Sequence, residues 1–255
     1  MLLEIKQLSQ NCQNNFMNFV KHIPNTITCL NLFSGCISCV MAFEGQYFLS
    51  ALFVLLAAMF DFLDGMFARL LSVYSNIGKE LDSLADVVSF GLAPGMVLFN
   101  WLNQSAGNEY LSYIAFLIPV FSALRLAKFN VDERQSTSFI GLPTPANAIF
   151  FVSLLAVVDP SVPMPGWVNL SFLSAIVGNQ WVLIGLIVLF SYLLVCELPM
   201  FSLKFKNLSW NDNKPRFVLI AISVLLFVFF QLLAFPFIIL CFILMSLFFS
   251  FMKKA

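Results

Sequence analysis

The stretch AMFDFLDGMFARLLSVYSNIGKELDSLADVVSFGLAPG, residues 58–95, decides the fold of this chain. It joins two apolar segments through a short polar turn, and each segment carries a pair of aspartates. Asp61 and Asp64 are three residues apart, and Asp82 and Asp86 are four apart. Residues at these spacings share one face of a helix, so each pair is predicted to project from one side of its own helix.

The depth of the two pairs along their helices follows from the helical rise. Asp61 and Arg69 are eight positions apart, and so are Gly78 and Asp86. At 1.5 Å per residue, each of these aspartates lies about 12 Å from the turn. If the two segments pack as antiparallel neighbours, the pairs face each other at matching depth.

Composition identifies a membrane protein. Of the 255 residues, 60% are hydrophobic and 10% are charged, whereas soluble domains contain about 25% charged residues. Mean hydropathy is +0.92, and apolar stretches of bilayer-crossing length, roughly 17 to 25 residues, recur from residue 24 almost to the C-terminus. The sequence therefore predicts an all-α, polytopic membrane helix bundle without a soluble module. We expect about eight transmembrane helices, at residues 24–43, 47–70, 80–102, 110–128, 144–158, 180–200, 217–234 and 236–252.

The N-terminal segment has a different pattern. Residues 1–23 place apolar side chains three or four apart with Gln, Asn and Lys between them, which is typical of an amphipathic helix on the membrane surface. The segment lacks the pattern of a cleaved signal peptide. We divide the chain into a juxtamembrane helix, 1–23, and a transmembrane domain, 24–255, whose core ends near residue 200. The helices at 217–252 are additions without an assigned role.

Basic residues predict the orientation. With the N-terminus inside, all 13 Lys and Arg residues fall in cytoplasmic segments, while the opposite loops carry Glu44, Glu109 and Asp159. Because Lys and Arg accumulate on the cytoplasmic side, we expect an even number of spans and a cytoplasmic loop at residues 69–79. A bacterial cytoplasmic (inner) membrane fits this pattern. The sequence predicts no nucleic-acid partner.

The four aspartates require a counter-charge. A carboxylate inside a bilayer costs about 2.5 to 3.5 kcal/mol on insertion scales, and only Arg69 and Lys79 are near in sequence. One or two divalent ions would balance the charge, and all-oxygen ligation favours Mg²⁺ or Mn²⁺ over zinc. The sequence therefore predicts a metal site at the cytoplasmic end of these helices.

A structural polar network or an ion-conducting path is the alternative interpretation of the aspartates. Their position near the cytoplasmic end argues against it, because transporter sites are usually near the midplane. The small residues Gly65, Ala68, Gly78 and Ala85 on the same helices also leave room for something bulkier than an ion. Cys36 and Cys39 sit in an apolar run without partner ligands, so we interpret the cysteines as small hydrophobic residues rather than zinc or disulfide positions.

The aspartates belong to a longer pattern, DxxDGxxAR, eight residues, then GxxxDxxxD. It is formed here by Asp61, Asp64, Gly65, Ala68, Arg69, Gly78, Asp82 and Asp86. In this pattern the chain resembles the CDP-alcohol phosphotransferase family over about residues 24–150. Members of that family join an alcohol to a phosphate of a CDP-linked substrate and release CMP.

The resemblance implies roles for these positions. The four aspartates would hold two divalent cations, Mg²⁺ or Mn²⁺, and Asp86 would also be the catalytic general base. Gly65, Ala68 and Arg69, with Gly78 on the facing helix, would bind the cytidine diphosphate. The signature contains no Ser, Cys or His that could act as a nucleophile, and His22 belongs to no HxK pattern. A single direct displacement is therefore the expected route, rather than the covalent route of phospholipase D-like enzymes.

Further segments resemble the phosphatidylserine synthase branch of the family. They are residues 24–35, 89–95, 125–131, 139–148 and 199–206. This implies transfer of a phosphatidyl group from CDP-diacylglycerol to L-serine, giving phosphatidylserine and CMP within membrane lipids. Two alternatives stay open: a sister transferase that uses glycerol phosphate, inositol phosphate or choline, and a cation carrier.

Several residues outside the signature have more than one possible role. Asn31 could contact the cytidine or hydrogen-bond a neighbouring helix. Arg125 is the first candidate for binding the serine carboxylate, whereas Lys128 and Arg134 could bind substrate or only enforce topology. The sequence leaves the oligomeric state open, a homodimer included.

Overall fold

The computed structural model describes residues 2–73, 75–105, 109–132, 139–159, 162, 171–200 and 209–254, with the backbone alone for residues 2–21 and for a few positions at element ends. Ten α-helices and a two-stranded sheet occupy this part of the chain. The helices are α1 (Leu2–Phe43), α2 (Tyr47–Leu70), α3 (Asn76–Asp86), α4 (Ala93–Ser105), α5 (Leu117–Val131), α6 (Thr144–Ala156), α7 (Ser171–Gly178), α8 (Gln180–Val195), α9 (Trp210–Phe230) and α10 (Ala234–Lys254). The strands are β1 (Phe139–Ile140) and β2 (Pro199–Met200).

The helices confirm an all-α integral membrane protein. Four apolar helical stretches coincide with the first four expected spans: His22–Phe43, Tyr47–Leu70, Asn76–Gln104 and Tyr110–Val131. The first two are joined by a tight turn in which Gly45 has a φ of 76°. Because that φ is in the left-handed region, glycine is the residue that fits there without strain.

The later expected spans differ from simple crossing helices. Helix α6 has 13 residues, about 20 Å at the helical rise, which is shorter than a bilayer core of about 30 Å. Helices α7 and α8 meet at a bend of 77°. The last apolar stretch, Asn213–Phe249, has 37 residues. Its α-helical conformation is interrupted at Gln231, whose φ is 49°. The helices of the described residues therefore leave the expected number of eight transmembrane spans unconfirmed.

The N-terminal boundary also differs from the expectation. Helix α1 runs from Leu2 through Pro24 to Phe43 as one element, so residue 23 is not a break between two helices. The side chains of residues 2–21 lie outside the described part of the chain. Their placement on the membrane surface stays a prediction.

Helices α1 and α2 pack through small polar side chains. Buried Thr28, Asn31, Ser34 and Ser38 recur every three or four residues along α1, so they form one stripe along that helix. The Ser38 and Ser50 hydroxyls lie 2.8 Å apart across the interface. Small residues of this kind let membrane helices approach closely, and here they bring Asn31 and Thr28 beside the aspartate-bearing segments.

A π-helical turn, Val87–Leu92, follows Asp86 directly and joins α3 to α4. Its Ser89 hydroxyl donates to the Asn31 carbonyl over 3.0 Å. A Cβ added at Gly35 would lie 2.8 Å from the Ser89 Cα, closer than real Cβ atoms approach. Because Gly35 has no side chain, the π-helical turn and Asp86 before it can lie close to α1.

The loop before α6 is held by main-chain hydrogen bonds. Strands β1 and β2 pair antiparallel, with Phe139 opposite Met200. The Leu142 amide donates to the Leu193 carbonyl over 2.9 Å, which satisfies one of the free carbonyls at the end of α8. Gly141 has a φ of 77°, and a Cβ there would lie 2.6 Å from the Leu194 carbonyl oxygen. The first turn of α6 is consequently fixed against α8.

Helix α6 lies at the centre of the core, which explains how so short a helix is stable. Ten of its 13 residues are buried, and it packs against α2, α4 and α10. Phe150 stacks on Phe190 of α8 with ring centroids 4.2 Å apart. Its stability thus derives from tertiary packing rather than from length.

We expect Gly35→Ala to destabilise the protein by about 1 to 3 kcal/mol, the usual cost of overpacking, because the added methyl group meets Ser89. Thermal unfolding in detergent would measure the change. Gly185→Ala on α8 is the matched control, since no atom lies within 4 Å of a Cβ there and helix propensity alone favours alanine by up to about 1 kcal/mol. Equal unfolding temperatures for the two variants would contradict the role of the Gly35 contact.

Candidate active site

Three of the four aspartates predicted to face each other lie together. Asp61 and Asp64 project from α2 and Asp82 from α3, and one carboxylate oxygen from each lies within 4.8 Å of the others. Asp86 lies one turn along from Asp82 and is buried, with 7% of its surface exposed. The Asn31 side-chain amide donates to Asp86 Oδ1 over 3.4 Å.

The three clustered carboxylates have few hydrogen-bond donors around them. The Thr28 hydroxyl donates to Asp64 Oδ2 over 2.6 Å, while Asp82 Oδ1 is buried and has no hydrogen-bond partner. The two basic side chains nearest in sequence, those of Arg69 and Lys79, are directed to main-chain carbonyls. Arg69 Nε donates to the Gly65 oxygen over 2.8 Å, and Lys79 Nζ to the Asn130 oxygen over 3.1 Å.

This donor set fits a divalent cation. Like charges at such short range repel one another strongly in a partly buried site, and a buried polar atom without a partner is costly. An oxygen-ligated divalent ion would neutralise the carboxylates and use the free Asp82 oxygen. The geometry thus supports the metal site expected from the sequence, with Asp61, Asp64 and Asp82 as the ligands that lie together.

Two open clefts meet at the cluster. The first, which we call the α1-side cleft, has a volume of about 230 Å³ and is lined by Pro24, Asn25, Thr28, Asp64, Gly65, Ala68, Val73, Ser75, Gly78, Lys79 and Asp82. The second, the α6-side cleft, has a volume of about 270 Å³ and is lined by Asp61, Lys79, Asp82, Ser83, Asp86, Arg125, Leu126, Phe129, Asn130, Pro143, Thr144 and Pro145. Lys79 and Asp82 border both, so a ligand in each cleft would reach the same carboxylate, that of Asp82.

The small residues of the signature belong to the α1-side cleft. Gly65, Ala68 and Gly78 all line it. A Cβ at Gly78 would lie 2.8 Å from Asn25 Oδ1 and 2.9 Å from the Ser75 hydroxyl, so glycine is needed there for α3 to approach α1. At Gly65 the nearest atom is 4.0 Å away, so that glycine leaves open space for a ligand.

The other expected site residues lie in different places. Arg125 is buried and lines the α6-side cleft with Asp86. Asn31 is fully buried against Asp86 and Ser89. Arg69 is exposed and is not among the residues that line either cleft. Lys128 is exposed on α5, and Arg134 lies outside the described residues.

Three residues of the site were missed by sequence reasoning. Thr28 binds Asp64, Lys79 stands between the two clefts, and Thr144 lines the α6-side cleft. Thr28 precedes Asn31 by three residues, so their shared helix face could have suggested it. Thr144 belongs to the segment 139–148, whose resemblance to known proteins suggested no role for it.

Comparison with known proteins agrees with this geometry. Residues 21–193 match the family model of the CDP-alcohol phosphatidyltransferases. Because the match covers more than half of the chain, the chain belongs to this family.

Several relatives carry specific names. A CDP-diacylglycerol–serine O-phosphatidyltransferase of Helicobacter pylori is 33% identical over 203 residues, which cover 79% of this chain and 80% of the relative. A Bacillus subtilis protein of the same name is 33% identical over 158 residues, covering 60% and 86%. An archaetidylserine synthase of Methanothermobacter thermautotrophicus is 34% identical over 130 residues, covering 50% and 54%.

We expect Mn²⁺ at about 100 times its dissociation constant to stabilise the protein by about 2.7 kcal/mol, and Asp61→Asn to abolish most of that gain. Without metal, the Asp61→Asn protein should be at least as stable as the original, because one of the repelling charges is gone. Thermal unfolding with and without Mn²⁺ measures both effects.

Glu80→Gln is the matched control, since Glu80 is an exposed acidic residue of α3 outside both clefts. It should keep the full response to Mn²⁺. A response that survives in Asp61→Asn but is lost in Glu80→Gln would place the metal elsewhere.

Proposed function

We propose that this chain transfers the phosphatidyl group of CDP-diacylglycerol to L-serine, giving phosphatidylserine and CMP. The observation that carries the proposal is the partly buried carboxylate cluster at the junction of two clefts. One cleft is lined by the glycines of the signature and the other by Asp86 and Arg125. The names of the relatives support serine as the acceptor.

The metal ligands would be the four aspartates Asp61, Asp64, Asp82 and Asp86. Two divalent cations, Mg²⁺ or Mn²⁺, supply charge neutralisation of the diphosphate and of the departing CMP when they are bound. The free, buried Asp82 oxygen and the three convergent carboxylates support this assignment.

The α1-side cleft suits the nucleotide end of CDP-diacylglycerol. Open space beside Gly65 and Ala68 allows a bulky group to approach the α2 backbone, and Gly78 lines the facing wall. Arg69, next to this cleft in sequence, would reach the diphosphate from the rim. The acyl chains stay in the bilayer, since removing them costs about 0.8 kcal/mol per CH₂, so the lipid enters laterally.

Asp86 would accept the proton of the serine hydroxyl. It borders the α6-side cleft, and the hydrogen bond from Asn31 fixes its orientation. A carboxylate held in this way can act as a general base when the hydroxyl oxygen attacks phosphorus. Because both clefts end at Asp82, the two substrates can be bound together and react by direct displacement.

The α6-side cleft also contains a positively charged side chain for binding the acceptor. Arg125 is buried, and its Nε has no hydrogen-bond partner. A guanidinium in a protein stays charged and suits a carboxylate in a bidentate geometry. Arg125 is therefore the residue that would bind the serine carboxylate.

The proposed membrane arrangement has eight spans, with both termini and the loop at residues 69–79 in the cytoplasm of a bacterial inner membrane. This count treats α6 as a buried crossing, α7 and α8 as one broken span, and Asn213–Phe249 as two helices that reverse near Gln231. A stretch of 37 residues would be about 55 Å long if straight, far more than the bilayer core. Residues 1–23 would lie on the cytoplasmic surface.

Labelling of single cysteines tests this arrangement. In a cysteine-free protein, Asn76→Cys should react with an impermeant thiol reagent only after the membrane is opened, whereas Glu44→Cys should react from outside. Both positions are exposed. The reverse pattern would overturn the orientation and separate the site from cytoplasmic serine.

The reaction itself is tested by CMP release from CDP-diacylglycerol with each candidate acceptor. We expect L-serine to be preferred, excess chelator to abolish release, and Asp86→Asn to lower kcat by about 10² to 10⁴-fold, the usual contribution of a general base. Glu80→Gln should keep normal turnover. Preference for sn-glycerol 3-phosphate would establish the sister activity instead, and exchange of labelled CMP into CDP-diacylglycerol without serine would reveal a covalent intermediate.

Arg125→Ala in the same assay should raise the KM for serine more than the KM for CDP-diacylglycerol, because the lost interaction is with the acceptor. A hydrogen bond to a charged group contributes about 1.5 to 3 kcal/mol, so the serine KM should rise about tenfold or more. Lys128→Ala, one turn further along α5 and exposed, is the matched control and should leave both constants unchanged.

A further inference from the structure

Two buried polar side chains in the α6-side cleft lack the partners that burial normally requires. The Thr144 hydroxyl is without a hydrogen bond although the residue is 1% exposed. Arg125 Nε is also without one, in a residue that is 7% exposed. They come from different helices, α6 and α5, and line the same cleft as Asp86. Since buried polar atoms in native proteins are nearly always satisfied, this cleft is built for a polar ligand.

The backbone around Thr144 adds positive potential to the cleft. Thr144 is the first residue of α6, and the first helical hydrogen bond runs from the Asn147 amide to the Pro143 carbonyl. The amides of Thr144 and Ala146 precede that bond, and Pro145 has none. A helix N-terminus of this kind carries partial positive charge and favours an anion.

The position of this helix end is rigid. Gly141 and Leu142 are hydrogen-bonded to the carbonyls of Leu198 and Leu193, which fixes the chain two residues before Thr144. Pro143 and Pro145 flank Thr144 and restrict its backbone further. Thr144 is therefore presented to the cleft by a preorganised turn, as a specific binding group should be.

We propose that Thr144 and the first turn of α6 form, together with Arg125, the subsite for the carboxylate of an α-amino acid acceptor. This inference rests on the proposed function and assigns its acceptor specificity to Thr144. The Arg125 guanidinium donates to the carboxylate, and the Thr144 hydroxyl donates to one of its oxygens. Both donors are then satisfied, and the hydroxyl group of the acceptor is held towards Asp86.

The subsite would reject the sister acceptors. A neutral alcohol, or choline with its cation, leaves the Arg125 and Thr144 donors buried and unpaired, which costs far more than a lost contact. A phosphate acceptor carries a second negative charge. Among the described residues that line this cleft, the basic ones are Arg125 and Lys79, and Lys79 already donates to the Asn130 carbonyl.

Thr144→Val tests the proposal, because valine keeps the shape and removes the hydroxyl. We expect the serine KM to rise about ten- to hundredfold, the effect of one hydrogen bond to a charged group, with the KM for CDP-diacylglycerol unchanged. Thr144→Ser should keep the original serine KM. Ser191→Ala is the matched control, since the Ser191 hydroxyl is likewise buried without a partner but lies outside both clefts.

Inhibition by serine fragments gives a readout separate from turnover. L-Alanine keeps the carboxylate and lacks the hydroxyl, so its inhibition constant against serine should rise in Thr144→Val by the same factor as the serine KM. Ethanolamine lacks the carboxylate, and its inhibition constant should not change. An equal rise for both compounds would overturn the carboxylate subsite.

The remaining outcomes separate this inference from the proposed function. If the original protein uses serine and Thr144→Val behaves identically, the role of Thr144 is wrong while the function stands. If the original protein releases no CMP with serine, the function itself fails. If Thr144→Val does not fold, Thr144→Ala supplies the kinetic comparison, and an unchanged serine KM in that variant overturns the inference.

Discussion

Mutual repulsion among partly buried carboxylates is the constraint on which the rest of this structure depends. Asp61, Asp64 and Asp82 converge within 4.8 Å in a protein whose surroundings are largely lipid. Contacts between α2 and α3 alone would not offset the repulsion among these three carboxylates. The small polar stripe of α1, the Thr28 hydrogen bond and the Gly35 contact instead form a frame that keeps the charges in place for a cation.

The sequence predicted the part of the site that local geometry determines. Helical periodicity fixes which side Asp61 and Asp64 share, and a short turn makes the next helix antiparallel, so the facing pairs required no knowledge of other elements. Periodicity places Thr28 on the same helix face as Asn31 but does not reveal its contact with Asp64, and it gives no role to Thr144, because both roles depend on contacts between residues far apart in the chain. The same limit applies to the fold. Apolar length identifies α2 as a span, but the 77° bend between α7 and α8 and the burial of short α6 depend on tertiary packing.

The two clefts meet at Lys79 and Asp82 and are otherwise lined by different residues. Helices α2 and α3 contribute to both clefts, whereas, among the described residues, α1 lines the α1-side cleft alone and α5 and α6 line the α6-side cleft alone. If the two clefts hold the two substrates as proposed, changes in α6 would alter acceptor binding while the nucleotide end keeps its contacts with α1 and α2. Such a division would suit a family whose members share CDP-linked donors and differ in the alcohol.

The π-helical turn at Val87–Leu92 divides its membrane helix into two segments, α3 and α4. The side chains of each segment point in directions that are set independently of the other. Each extra residue accommodated in a helical turn rotates the succeeding residues by about 100°. The direction in which α4 presents Val97 and Leu98 to the core is therefore set separately from the direction in which α3 presents Asp82 and Asp86. A single helical wheel drawn through residues 76–105 would misplace one half. The turn therefore fixes the position of α4 relative to α3 along the helix axis. The rotation of each helix about that axis is determined by the helices that it packs against.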